Sequence, residues 1–554
     1  MRARRIGVFS VLILALGLTG VLLAQRGYPA GKARPQKSGF YDFSKGSPDF
    51  ASGVGSIQNI TCTVGESTQP SIYAGNMLLD CDAETPHNET TVAADPNNPS
   101  HIIGGYHAYQ LHFNGATLVE RIVGTVSVSF DRGQNWQEVL PPITPYEFTG
   151  DPALGFNASG RIYFANIADH EGPGGNFTGP SVVVAHSDDG GLNWSHPVTV
   201  FSGFTAITAG KVFGPNIFND KEYLTVDTGA TSAHRDRVYV TWSKFTESAT
   251  PQASFFSVPI EVSFSGDGVN WSSAKEISGF GSFCTATISG QPNQCDLNQD
   301  SYPAVASNGK VYVSFENFNT LAENQVLVVS SSDGGATWSN PARVDTLFDI
   351  NYPTNADGRA TLTGCQLRYG VKANTATDPS DPTGNTGYVV WADNRNGSAQ
   401  ATNTDVFLGR STDGGKTWRV YTVDNSSNDQ FYPWVAVASD GRVDVGYMDR
   451  SYSAGQTECK YGFTLTRLTF DSAGNISTQT RQRVDTGLSD SGHARWFSGT
   501  TNGNSRFIGD YNGMAIGSDG FTWTLWTDQR NVVANPPSPT RNHAQHAVGT
   551  LTSP

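Results

Sequence analysis

Apolar and polar residues alternate along most of this chain in short runs, and the runs come in pairs. The clearest pairs are Tyr302-Pro-Ala-Val-Ala-Ser-Asn-Gly-Lys-Val-Tyr-Val-Ser-Phe-Glu316 and Tyr432-Pro-Trp-Val-Ala-Val-Ala-Ser-Asp-Gly-Arg-Val-Asp-Val-Gly-Tyr-Met-Asp449. Each reads as a strand, an Asn-Gly or Asp-Gly turn and a second strand, which is a β-hairpin. Variants begin at Asp151 and Asp510, looser ones at Glu89 and Glu222, and another unit begins near Cys365 with its second strand at Gly387-Tyr-Val-Val-Trp391. That makes seven units.

Most units continue into two further strands joined by one phrase, S-x-D-x-G-x-[TN]-W. Its four intact copies supply Ser129, Asp131, Gly133 and Trp136; Ser187, Asp189, Gly191 and Trp194; Ser331, Asp333, Gly335 and Trp338; and Ser411, Asp413, Gly415 and Trp418. A degraded copy ends at Asn270-Trp271, preceded by Ser263 and Gly266-Asp267-Gly268, and Phe470-Asp471-Ser-Ala-Gly474 is a remnant. Asp and Gly make tight turns because Gly tolerates positive φ and Asp bonds nearby amides. The Trp can lie across the turn while its indole N–H finds a carbonyl. Four antiparallel strands per unit make a propeller blade. The expectation is therefore an all-β chain folded as a β-propeller of seven blades, or six if the weak terminal unit merges with the first to close the ring. The phrase resembles the Asp-box, or bacterial neuraminidase repeat, of the sialidase-like β-propellers, and at the level of repeats the resemblance spans about residues 85–551.

Strand order predicts which end works. In a four-stranded meander the 1–2 and 3–4 turns share one face, so Asn308-Gly309, Asp440-Gly441, Asp519-Gly520 and all the boxes lie together. The long connections, such as 166–180, 244–254, 272–298, 339–364 and 393–404, lie opposite. Function tends to sit on long loops held by a rigid scaffold.

With 60 Gly, 28 Pro and 16% charged residues among 554, the composition suits a turn-rich all-β protein. The net charge is −14, or −17 without Arg2, Arg4 and Arg5, which disfavours a nucleic-acid partner. Residues 1–24 read as a signal peptide, or as a signal anchor that would tether the chain to a membrane through the apolar run 6–24. Residues 25–58 read as a flexible linker and 59–554 as the propeller. The even cysteine count fits an exported, disulfide-bonded protein. Fifteen pairings are open; neighbour pairing, Cys62–Cys81, Cys284–Cys295 and Cys365–Cys459, is favoured because bridges would brace the long connections.

Two positions on the long-loop face carry candidate chemistry. The start of the first strand brings Glu89, Asp151, Glu222, Asp300, Arg368, Gln430 and Asp510, with Tyr302, Tyr432 and Tyr511 close by. The end of the second strand brings Asp393-Asn-Arg395, Asp449-Arg450 and Asp528-Gln-Arg530. Carboxyls, arginines and tyrosines around one mouth suit glycoside chemistry, in which paired carboxyls act as acid and base. Repetition of D-x-R in successive blades equally suits an ion pair that closes each loop.

The resemblance implies an exo-glycosidase, a sialidase, with Arg368, Arg395 and Arg530 clamping the sugar carboxylate, Tyr511 paired with Glu222 as nucleophile and Asp151 as acid/base. The F/Y-R-I-P element of sialidases is missing; Arg121-Ile122-Val123, after Glu120, is the nearest string. Asp boxes also occur in xyloglucan-cleaving enzymes and sorting receptors, so a non-catalytic propeller that binds glycan or protein at the cell surface is the alternative. Extracellular carbohydrate is the expected partner on either reading. No cofactor and no metal site is expected beyond an outside chance of structural calcium at the turn 95–99, and His543 and His546 read as surface or closing-strand residues.

Overall fold

The computed structural model describes residues 60–81, 86–114, 117–170, 179–208, 211–247, 255–286, 290–320, 324–349, 352–354, 359–455, 457–494, 507–533 and 542–554. The leader, the linker and Arg541 lie outside these residues.

Seven antiparallel sheets of at least four strands follow one another around an axis. They occupy residues 87–139, 148–201, 211–276, 298–347, 374–424, 430–483 and 513–552. This is the seven-bladed propeller that the paired alternation predicts. The seventh blade is not merged with the first. Its own strands Gly513–Ile516, Thr522–Asp528 and His546–Thr552 are completed on the outside by Met77–Leu78, registered Met77 to Gly549. The strand Ile60–Gly65 then adds a fifth, outer strand to blade 1 against Asn135–Val139. Segments from the two ends of the chain thus share one sheet, and the ring closes by hydrogen bonds.

Between blades the alternating apolar residues interlock. Ile103, Val126 and Val128 of blade 1 meet Leu154, Ile162 and Phe164 of blade 2, and Trp136 of blade 1 stands edge-on to Trp523 of blade 7 at 6.3 Å. The three neighbour disulfides form as expected. Cys365–Cys459 ties the small hairpin ahead of blade 5 to the third strand of blade 6. Three bridges suit an oxidising compartment. No helix among the described residues is long and apolar enough to cross a membrane.

The box turns share one hydrogen-bond plan. The Ser hydroxyl donates to the Asp Oδ1 at 2.9 Å in all four intact copies and takes the N–H of the conserved glycine, Gly133, Gly191, Gly335 or Gly415, at 2.8–3.0 Å. The carboxylate then receives the amide and side chain of the Asn or Thr before the Trp. The degraded copy keeps this plan with a different residue. Its serine is Ser265, which donates to Asp267 at 2.9 Å, whereas Ser263 donates to the Ser272 carbonyl. One turn residue is missing between the aspartate and the tryptophan, but the S-x-D spacing counted from Asp267 is kept and marks Ser265, two residues after Ser263. Trp194, Trp271, Trp338 and Trp418 donate to a turn carbonyl at 2.8–3.2 Å. Trp136, packed on Trp523, leaves its indole N–H without one.

Candidate functional site

At the opposite face, five inner strands share one irregularity. Between Asn88 and Thr91, Gly150 and Ala153, Asp220 and Tyr223, Gln299 and Tyr302, and Phe431 and Trp434, two residues stand opposite one of the partner strand. The first residue of each bulge is left-handed: Glu89 (φ 55°), Asp151 (54°), Lys221 (49°), Asp300 (59°) and Tyr432 (50°). Non-glycine residues held there store roughly 1–3 kcal/mol each and gather at sites where a bulge re-aims a side chain. This corrects the alignment read from the sequence. In blade 3 the equivalent residue is Lys221, one before Glu222, and in blade 6 it is Tyr432, two after Gln430.

The bulge residues converge on the axis, where they are almost wholly buried. The amide of Asp151 donates to His107 Nε2 at 2.6 Å, and Glu89 lies 3.2 Å from the same nitrogen. The amide of Asp510 donates to Glu89 Oε1 at 3.1 Å. The approach is close enough that a Cβ on Gly509 (φ +92°) would fall 2.7 Å from the Glu89 nitrogen, so only glycine fits. Arg368 pairs with Asp510 and Lys372 with Asp300, each at 2.6 Å. The Lys221 ammonium sits 3.6 Å from the Tyr511 ring centroid and just over 5 Å from those of Tyr223 and Tyr302. Tyr223, Tyr302 and Trp434 pack into an aromatic wall with centroids 5.1–5.5 Å apart.

Several polar atoms here have no hydrogen-bond partner among the described residues: both carboxylate oxygens of Asp151, both of Glu222, the Lys221 Nζ and the Tyr302 and Tyr511 hydroxyls. Isolated buried polar groups cost free energy unless something bonds them, and they mark sites that await a ligand or water. The charges interact. Burial, then the neighbouring Asp151 and Asp510, pushes the Glu89 carboxyl well above its usual range. Burial, then Asp151, does the same to Glu222. Burial also raises Asp300, against the pull of Lys372, and drives His107 down to about 4, so that this imidazole is neutral. Asp510 moves the other way: burial opposes ionisation, but Arg368 and Lys372 outweigh it. Burial thus favours the protonated form of Glu89 and Glu222 beside an Asp510 whose ionised form is favoured.

Of the six residues expected to carry catalysis, Asp151, Glu222, Tyr511 and Arg368 belong to this cluster. Arg395 and Arg530 do not join it through any described contact. Each closes on the aspartate two residues before it, Arg395 on Asp393 and Arg530 on Asp528, both at 2.7 Å. Each of those aspartates also receives an indole N–H, from Trp391 at 3.1 Å and Trp526 at 3.0 Å. The repeated W-x-D-x-R element is one structural clasp built twice. Arg450 reaches Asp429, outside its own blade's Asp449. At the turn 95–99 the Asp95 carboxylate is taken by the Asn97 amide and the His101 ring, both at 2.8 Å.

Sequence reasoning missed Lys221, His107 and Lys372. A lysine next to Glu222 at the head of an inner strand was the available signal for Lys221. His107 had none, because its strand partner, Asn88, is set by register.

No family model matches the chain, and no curated protein matches it. Similar solved structures include the NanB sialidase from Streptococcus pneumoniae, 10% identical over 92% of this chain and 99% of that one with a TM-score of 0.42. Others are a protein of unknown function from Dyadobacter fermentans (14%, 67% and 93%, 0.40) and an α-L-arabinofuranosidase from Fusarium graminearum (13%, 74% and 95%, 0.38). At such identities the chemistry has to be argued from this chain's own residues.

Proposed function

We infer that the axial cluster is the site of a glycoside hydrolase that acts on glycans outside the cell. The observation that carries this reading is the pair Asp151 and Glu222, fully buried, with all four carboxylate oxygens unpartnered among the described residues. Glycosidic cleavage needs a proton donor and a second carboxyl. Burial favours the protonated form of Glu222, which suits it as the general acid on the leaving oxygen, with Asp151 as the base or nucleophile. This reassigns the roles that the family resemblance implies, because a carboxyl whose protonated form burial favours is a poor acceptor for the proton of Tyr511. The Tyr511 hydroxyl, itself held neutral by burial and by Glu89, Asp151 and Glu222, is placed to hydrogen-bond a sugar hydroxyl. Lys221 above its ring balances negative charge in the cluster.

Charge bears on the substrate. Arg368 and Lys372 are each engaged by an aspartate, and Arg395 and Arg530 are held in their clasps, so an anionic sugar finds few cations to receive it. A neutral sugar suits the mouth better than a sialoside. The same clasps favour the second reading, a propeller that binds glycan without cleaving it.

A panel of fluorogenic glycosides, sialoside included, tests both. Turnover of a neutral sugar that is lost in Glu222→Gln supports the enzyme reading. Turnover of sialoside alone would restore the arginine clamp. Glycan binding without turnover, weakened by Tyr511→Phe, would leave the binding module.

A further inference from the structure

The tail element His543-Ala-Gln-His546 sends its two histidines to different places. His546 enters a buried group with Asp80 and His87, at the seam where the ring closes. His543 enters a second group with Asp490 and His493 on the rim of the long-loop face, where the His493 side chain is half exposed. We propose that His493 and His543, oriented by Asp490 and by the Gln529 carbonyl, bind one divalent transition-metal ion of the zinc class.

Hydrogen bonding settles the tautomers. His543 Nδ1 lies 2.6 Å from the Gln529 carbonyl oxygen, which can only accept, so Nδ1 carries the proton and Nε2 the lone pair. His493 Nδ1 lies 2.9 Å from Asp490 Oδ2, a carboxylate, with the same consequence. Neither Nε2 has a partner among the described residues. An imidazole whose far nitrogen donates to a carboxylate or a backbone carbonyl is the arrangement that metal-binding histidines adopt, because it fixes the ring and raises its basicity.

Spacing agrees. One ring nitrogen from each histidine and one oxygen of Asp490 lie within 4.8 Å of one another. The ring centroids are 5.6 Å apart at 33°. With a metal–nitrogen bond of about 2.1 Å and a near-tetrahedral angle, two imidazoles on one ion have centroids roughly 5 Å apart. The backbone is already set: the His543 amide donates to the His493 carbonyl at 3.0 Å, and the Gly492 amide to Asp490 Oδ1 at 2.9 Å. Two imidazoles with open positions suit zinc, copper or nickel, not calcium or magnesium.

Two other clusters lack this freedom. At the seam, His546 gives Nδ1 to Asp80 at 2.6 Å and its Nε2 faces the Asn531 amide at 3.2 Å. On the axis, the Nε2 of His107 receives the Asp151 amide. Of these three clusters, the rim pair alone has both lone pairs available among the described residues.

The test is calorimetric titration of the chelator-treated protein with zinc. One equivalent should bind with a dissociation constant of about micromolar order, weakened at least ~10-fold by His493→Ala or His543→Ala. Asp490→Asn should weaken binding about 10-fold yet keep the two-nitrogen signature in the paramagnetic resonance spectrum of the copper-loaded protein. That spectrum, taken on the unmodified chain, stands even if a variant misfolds. No binding below millimolar zinc, a copper spectrum without two nitrogens, or full binding by the His493→Ala/His543→Ala double variant would overturn the proposal.

Discussion

The two faces of this propeller use the same side chain in opposite ways. On the turn face, the aspartates of the boxes sit near the surface and are surrounded by donors. The Thr337 hydroxyl and amide hold Asp333 down to about 2, and at Asp413 burial is the largest single influence and pulls upward, but the bonds from Thr417, Ser411 and Lys416 together outweigh it with the same result. On the axial face, Glu89, Glu222 and Asp300 are fully buried, short of donors and pushed upward. The first environment recurs blade after blade and satisfies every oxygen. The second occurs once and leaves oxygens unbonded. Repetition with satisfaction marks scaffold, whereas convergence without it marks a site.

The largest effect expected is a double dissociation. Glu222→Gln or Asp151→Asn should lower kcat/KM by roughly 100-fold or more, as loss of an acid or base does. Neither should lower thermal stability, since each removes a buried carboxyl that nothing bonds. Asp413→Ala should do the reverse, costing about 1–2 kcal/mol in chemical denaturation, as loss of a capping side chain does, with kcat/KM unchanged. If Asp413→Ala removed activity, or Glu222→Gln unfolded the protein and left no activity difference in its folded fraction, the division between the faces would fail.

The pH dependence of stability separates the faces next. The box aspartates have folded values below the unfolded value of about 3.9, so their contribution is present above that pH and lost as pH falls towards 2. The axial carboxyls have raised values. Their contribution is complete below about 4 and is lost as pH rises through their folded values, when each must ionise while buried. Denaturation midpoints measured from pH 2 to 9 should therefore fall at both ends. Glu222→Gln should flatten only the upper limb, and Asp333→Asn only the lower.

The two faces were unequally legible in the sequence. The box is local: serine, aspartate, glycine and tryptophan within eight residues determine their own geometry, so four turns and seven blades could be read from spacing, whereas the cysteine pairing was favoured only by where the long connections fall. Only the shortened copy misled: its serine keeps the two-residue spacing to the aspartate, but the missing residue before the tryptophan hid the match. The axial site is assembled from strands of several blades, and its members are selected by bulges that the alternation does not show. One extra residue in the inner strand of blade 3 decides that Lys221, and not Glu222, takes the left-handed position. Arg395 and Arg530 looked like site residues because they end strands on the correct face. Their meaning lay in Trp391 and Trp526, two residues before each aspartate, which make the clasp complete without a ligand.

The smallest effect expected concerns what the serine adds to a box. In blade 6 the turn keeps only the aspartate: Asp471 accepts the amides of Ala473 and Asn475 at 2.9 and 2.8 Å and the Asn475 side chain at 3.2 Å. Among the described residues no serine hydroxyl bonds it, and the phrase ends here without a tryptophan. At Asp413 the carboxylate takes a comparable set of bonds, but Ser411 also links it to the Gly415 amide, and Trp418 closes over the turn. An aspartate alone organises a local turn that water can replace at modest cost, whereas one tied through serine to a second amide holds two strands in register. Asp471→Ala should therefore lower the denaturation midpoint less than Asp413→Ala, and Ser411→Ala should bring the Asp413→Ala penalty down to that of Asp471→Ala. Equal penalties in all three backgrounds would mean that the aspartate is the whole device and the serine and tryptophan merely accompany it.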